Sequence, residues 1–210
     1  MPLRLDTPLD DIFRARSHIR VLRVLSQLPS GFNLSGRAIA SRAGLAHRTA
    51  QTVLDSLTDQ RILNVRLAPR VGYYELNREH ALATTLVKLF NRERGLFGEL
   101  VEYLRERLVT AVPEIEAAYI FGSAARGEMT TSSDVDLALV SAPDLVRAVE
   151  EAAVDIAEAV RARFGISLSP IVGAPSLESL LQRGRPGQRL WRQIADEGVP
   201  VSVRQDSGAG

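Results

Sequence analysis

Asp134 and Asp136 stand two residues apart, shortly after a Gly122-Ser123 pair, and this cluster is the most chemically suggestive stretch of the chain. On a strand, residues two apart point to the same face, so the two carboxylates could hold one or two divalent cations. Ahead of them runs Ile120-Phe121-Gly122-Ser123-Ala124-Ala125-Arg126-Gly127-Glu128, in which an apolar stretch ends at a glycine that tolerates unusual backbone angles. The residues after that glycine can open a helix whose free amides favour phosphate, with Ser123 adding a hydroxyl and Arg126 a further phosphate contact. Taken singly, Asp134 reads as a cap or turn residue and Asp136 as a polar residue on a solvated strand face. At this spacing, beside the Gly-Ser turn, the set favours a polyphosphate held through a cation.

Together with Ser132-Ser133-Asp134-Val135-Asp136-Leu137, the run resembles the signature of the DNA polymerase beta-like superfamily, particularly the minimal nucleotidyltransferases. The resemblance implies a nucleotidyltransferase domain over residues 112–200. Asp134 and Asp136 would be its catalytic, metal-ligating pair with Mg²⁺ or Mn²⁺, and Gly122, Ser123 and Arg126 would bind an NTP. An acceptor hydroxyl would attack the α-phosphate and pyrophosphate would leave. The acceptor class is open, and a protein such as a toxin partner is one that the family implies. One position departs from the pattern. Active members place a third carboxylate on the next strand, where this chain has Gly165-Ile166-Ser167-Leu168-Ser169-Pro170-Ile171-Val172, with Ser169 at the aligned position and no acid. A serine cannot serve as a carboxylate base at neutral pH, and Pro170 removes a backbone donor beside it. Glu178 and Asp155 are the acids nearby in sequence. Three readings follow: an NTP-dependent transferase, a catalytically inactive nucleotide sensor, or a transferase-like scaffold used only for dimerisation.

A second function is suggested by charge. Residues 14–78 carry 11 arginines, no lysine and 3 acids (Asp55, Asp59, Glu75), a net +8 inside a chain whose total is +1. A basic block followed by a mildly acidic one points to a nucleic-acid module joined to something else. Within the block, apolar residues at helical spacing from Arg16 to Leu28 stop at Pro29-Ser30-Gly31. Ser35 can cap a second helix, Gly44 supplies a turn, and a third helix from about Ala46 carries Ala50, Val53, Leu54 and Leu57 inward. Strand-like pieces Ile62 to Leu67 and Tyr73 to Asn77 follow, joined by a loop from Ala68 to Gly72. This order resembles winged helix-turn-helix transcription regulators. The resemblance implies that double-stranded DNA is the partner. Opposite the apolar stripe of the third helix stand Arg48, Gln51 and Thr52, which could reach base edges, while Arg37, Arg42, Arg66 and Arg70 would meet phosphates or a minor groove.

The elements that must position these groups give a mixed α/β (α+β) fold: an N-terminal extension (1–13), a winged helix-turn-helix domain (14–78), a helical connector (79–111), the transferase domain (112–200) and a tail (201–210). The connector's leucines suit an interdomain spacer, with a homodimer seam as the alternative. In the transferase domain, strands at Ala117 to Phe121, Val135 to Val140 and Ile166 to Val172 surround a helix from Pro143 to Phe164. Helical segments over 176–197 flank a Gly184 to Gly187 loop, and Trp191 reads as core. His18, His47 and His80 have no metal-ligand spacing and read as surface or capping residues. Zero cysteines exclude disulfides and zinc-thiolate sites. With no apolar leader and no run of 18 apolar residues, the expectation is a cytoplasmic protein without a membrane partner.

Overall fold

A computed structural model describes residues 7–130 and 133–203. Ser132, the first residue of the Ser132–Leu137 run, and most of the expected tail lie outside those residues. The chain divides into two compact units, residues 1–95 and 96–210.

The first unit opens with α1 (Pro8–Ile12), whose Ile12 is fully buried in the unit's core, so part of the expected extension is built into it. Then come α2 (Arg16–Ser26), β1 (Leu34–Ser35), α3 (Gly36–Ala43), α4 (His47–Asp59), β2 (Leu63–Ala68) and β3 (Val71–Leu76). Ser35 caps α3 by accepting from the Ala38 amide, and Gly44 stops the helix in the left-handed region at φ +62. Val21, Leu22 and Leu25 of α2 meet Ile39 of α3 and Val53, Leu54 and Leu57 of α4 in one core. The strands form a sheet of order β1-β3-β2, antiparallel throughout. Ala68 pairs with Val71, so the expected five-residue loop is a two-residue turn, Pro69-Arg70.

The helix α5 (Ala83–Ala111) starts in the first unit and ends in the second. Gly95 and Gly98 lie within it without breaking it. In the first unit Leu86 and Phe90 join the core, and Arg23 forms a two-pronged ion pair with Glu93 at 2.6 and 2.7 Å.

The second unit continues with β4 (Ala117–Phe121), α6 (Gly122–Ala125), β5 (Val135–Val140), α7 (Val146–Phe164), β6 (Leu168–Gly173), α8 (Leu177–Leu181), α9 (Gln188–Glu197) and β7 (Val199–Val203). A 3₁₀ turn at Pro143–Leu145 occupies the first residues of the expected long helix. Sheet order is β6-β5-β4-β7; β5 and β6 run parallel around the α7 crossover and the other pairs are antiparallel. Strand alternation splits the side chains between two cores. Ala118, Ile120, Val135, Leu137 and Leu139 pack with Leu104 and Leu108 of α5 and with Val149, Ala153, Ile156 and Val160 of α7. Ala117, Tyr119, Ala138 and Val140 take the opposite face with Leu180 of α8 and Trp191 and Ile194 of α9. Trp191 presses so closely on Gly173 that a Cβ there would overlap its ring. β7 was not expected; it pairs with β4, and the anticipated domain boundary at 200 falls inside it. No helix among the described residues is long and apolar enough to cross a membrane.

Candidate functional site

In the second unit β4 delivers the chain to Gly122, and β5 brings Asp136 alongside, paired with Phe121. Gly122 adopts φ +70, and a Cβ on it would overlap the Asp136 carboxylate. Glycine is therefore required there for both backbone angle and space. α6 begins immediately, with no side chain capping its first turn and Ser123 half-buried. Alternation sends Val135 and Leu137 into the core under α5 and α7 and leaves half-buried Asp136 on the other face, while Asp134, just before β5, is exposed. Ser169 pairs with Asp136 across the parallel β5–β6 ladder and donates its hydroxyl to Asp134 Oδ2 at 3.3 Å.

Neither nearby acid takes the place that Ser169 occupies. Asp155 lies on α7, the layer under the opposite sheet face, where it lines a cavity with Arg107, Thr110 and Glu151. Glu178 follows β6, whose last residue Gly173 pairs with Val140, so its helix starts from the far end of β5 relative to Asp136. No group of three His, Asp or Glu that could hold a metal occurs among the described residues. Arg126 is exposed and pairs its Nε with Glu128 Oε2 at 2.9 Å, a hydrogen bond that holds its guanidinium above the usual arginine range. A cavity of about 180 Å³ opens beside Gly122, walled by Phe121 and Ala125 and by Leu190, Gln193, Ile194 and Glu197 of α9. Sequence reasoning missed these α9 residues. Their only signal is that Leu190, Ile194 and Glu197 share one helix face, and nothing in the sequence says what that face meets.

Residues 102–167 match the family Polymerase beta, Nucleotidyltransferase. The match takes in β4, α6, β5 and α7 and ends one residue before β6, the strand that carries Ser169. Solved structures similar to the chain include a toxin–antitoxin crystal structure with AMP-PNP (17% identity, TM-score 0.35) and a mutant of the toxin–antitoxin MntA–HpeT (15% identity, TM-score 0.35). Each likeness covers 50% of this chain and 74% of the other. No curated protein matches.

In the first unit, the positions expected to face nucleic acid fall into three groups. Arg37, Gln51 and Arg70 share one concave surface, joined by His47, between the start of α3, the start of α4 and the β2–β3 turn. Gln51 is half-buried there, and its amide nitrogen donates to Asp55 Oδ1 (2.7 Å) and the Tyr74 hydroxyl (2.9 Å), so both its N–H groups are engaged within the protein. Arg48 and Thr52 are exposed on the outward face of α4 and line a separate trough toward α2, and the Thr52 hydroxyl donates to the Arg48 carbonyl. Arg42 and Arg66 are exposed and line neither surface. His80 accepts from the Leu82 amide through Nδ1, a capping role, whereas His18 departs from the surface expectation and is buried.

Proposed function

We propose that the second unit binds an NTP together with a divalent cation and transfers its nucleoside monophosphate to an acceptor hydroxyl, and that the first unit is a winged helix-turn-helix module that ties this activity to double-stranded DNA as a transcription regulator. The contact of Gly122 with the Asp136 carboxylate carries the first half: the turn that would receive phosphate and the acid that would hold a cation lie against each other, within the segment that matches the nucleotidyltransferase family. An exposed and a half-buried carboxylate fit one Mg²⁺ or Mn²⁺, which keeps several waters and takes one or two protein carboxylates beside substrate phosphates. Such an ion lowers the cost of charge developing on the transferring phosphoryl group. The chain's own residues supply the rest. Gly122 and Ser123 seat the phosphates, Asp134 and Asp136 hold the cation's position, and the cavity beside Phe121 has room for part of the nucleoside. Arg126 reaches the phosphates once it leaves Glu128. An acceptor oxygen attacks the α-phosphorus and pyrophosphate departs. The acceptor proton then passes to Asp134 or to water, since Ser169 cannot take it. A hydroxyl on a partner protein, a toxin among them, is the acceptor class favoured by the family resemblance.

A second reading is favoured by one observation: Ser169 stands beside Asp136, donates to Asp134 and brings no acid to the site. In that reading the unit senses a nucleotide without turning it over. Isothermal titration with ATP, GTP, CTP and UTP in Mg²⁺, alongside the Asp134→Ala/Asp136→Ala variant and with pyrophosphate followed in parallel, separates the two. Binding lost in the variant, with pyrophosphate released once a candidate acceptor is added, supports transfer. Binding without release under every acceptor supports the sensor, and no binding to any NTP overturns both.

A further inference from the structure

On the side of α4 facing away from α3 and the β2–β3 turn lies a trough of about 720 Å³, lined by Arg14 and by Ser17 and His18 of α2 on one side and by Arg48, Thr49 and Thr52 of α4 on the other. Among the described residues no carboxylate lines it. α2 is 11 residues long (Arg16–Ser26) and is preceded by Ala15, whose methyl group cannot cap it, so its first-turn amides present partial positive charge at the edge of the trough. At the trough's floor His18 is 7% exposed, and among the described residues neither ring nitrogen has a partner. An uncapped helix start, two guanidinium groups, the hydroxyls of Ser17, Thr49, Thr52 and Ser56 and an unpartnered buried imidazole make a surface suited to a phosphate anion, although the Thr52 hydroxyl already donates to the Arg48 carbonyl.

Its position relative to α4 says which phosphate. With Ala50, Val53, Leu54 and Leu57 turned to the core, 100° per residue sets Arg48 directly outward, Thr49 and Thr52 on the α2 flank, and His47 and Gln51 on the α3 flank. Each flank carries its own concavity with no carboxylate among the described residues that line it, the trough on one side and the surface with Arg37, His47 and Arg70 on the other. A helix lying in a major groove has one phosphate strand on each side. We propose that the trough is a phosphate cradle for the second strand of a bound duplex, with Arg14, Ser17 and the α2 amides as its contacts. The inference rests on the DNA-binding half of the function proposed above. Burial and the nearby Arg14 charge hold the His18 imidazole below its ordinary range, so a phosphate over Arg14 moves it back upward.

The test uses the full chain and a mixed-sequence duplex of roughly 20 base pairs, with binding followed by fluorescence anisotropy between about 50 and 200 mM salt. Arg14→Ala, Ser17→Ala and the double variant are compared with Arg70→Ala. The cradle is supported if the double variant weakens binding on every duplex alike and lowers the salt slope by about one, while the His18 ring resonance of the wild type titrates at higher pH with duplex present. If Arg70→Ala weakens binding and the double variant leaves affinity and slope unchanged, the cradle is overturned and the DNA reading stands. A wild type that binds no duplex at the lowest salt overturns the DNA reading itself. A His18 response to inorganic phosphate alone, with no effect of duplex, assigns the anion to a free ligand and also overturns the cradle.

Discussion

Ser169 occupies a place from which an acid would face Asp136 across a single ladder rung. Ser169→Asp puts a like charge there and is expected to cost about 0.5 kcal/mol without cations. Mg²⁺ should reverse that loss and raise pyrophosphate release. Thermal melts with and without Mg²⁺ check it, and a melt indifferent to Mg²⁺ argues that position 169 does not face a cation. Gly122→Ala forces a side chain into φ +70 and onto the Asp136 carboxylate. A loss of about 1–3 kcal/mol in denaturant unfolding is expected, together with lost NTP affinity. His18 yields a pH dependence. Burial first, and Arg14 second, depress its folded value below the unfolded one, so the unfolded chain binds the proton more readily. Stability is therefore full above about pH 6.5 and declines as pH falls through that value, levelling off once the folded imidazole also protonates. Urea unfolding midpoints measured across this range should show the decline in the wild type and not in His18→Leu. Gly122, Ser123, Asp134 and Asp136 were legible because they are near neighbours in sequence, where spacing alone fixes their relation. Gln193, Glu197 and His18 were not, because burial and the far wall of a cavity depend on which surfaces the fold brings together.

At the level of elements, the β2–β3 turn has Pro69 and Arg70 as its central residues, with Arg70 at φ +73. A turn with proline first and a positive φ second prefers glycine at the second position. Arg70→Gly should accordingly stabilise the unit by up to about 1 kcal/mol while weakening duplex binding. Opposite signs in a thermal melt and a binding titration would show that the arginine is kept for its charge. The helices α2, α3 and α4 and the β4, β5 and α7 segments could be read from apolar periodicity. β7 could not, because Pro200 interrupts a five-residue run and argues against a strand. As an edge strand it tolerates the missing amide. Its register with β4 shifts there, Tyr119 pairing with Pro200 and Ala118 with Ser202, and Arg105 secures the strand by donating to the Val201 carbonyl at 2.7 Å. β1, two residues long, is too short for any period to register.

Across the whole chain, positive charge is concentrated in residues 14–78, whereas residues 79–210 sum to −5. Duplex binding should therefore weaken steeply with salt, by about 0.9 in logarithmic slope per phosphate neutralised, while NTP binding in the second unit changes far less over the same range. Parallel titrations of one preparation test this, and equal slopes would place both ligands on the same surface. The units also differ in their single indole. Trp191, the chain's one tryptophan, sits on Gly173 with Leu190 and Gln193 of its own helix bordering the cavity beside Gly122. One half of the molecule thus carries an indole reporter and the other has only tyrosines, Tyr73 and Tyr74 of β3. Indole emission follows unfolding or ligand docking in the second unit alone, and any transition seen by circular dichroism but not by that emission belongs to the first.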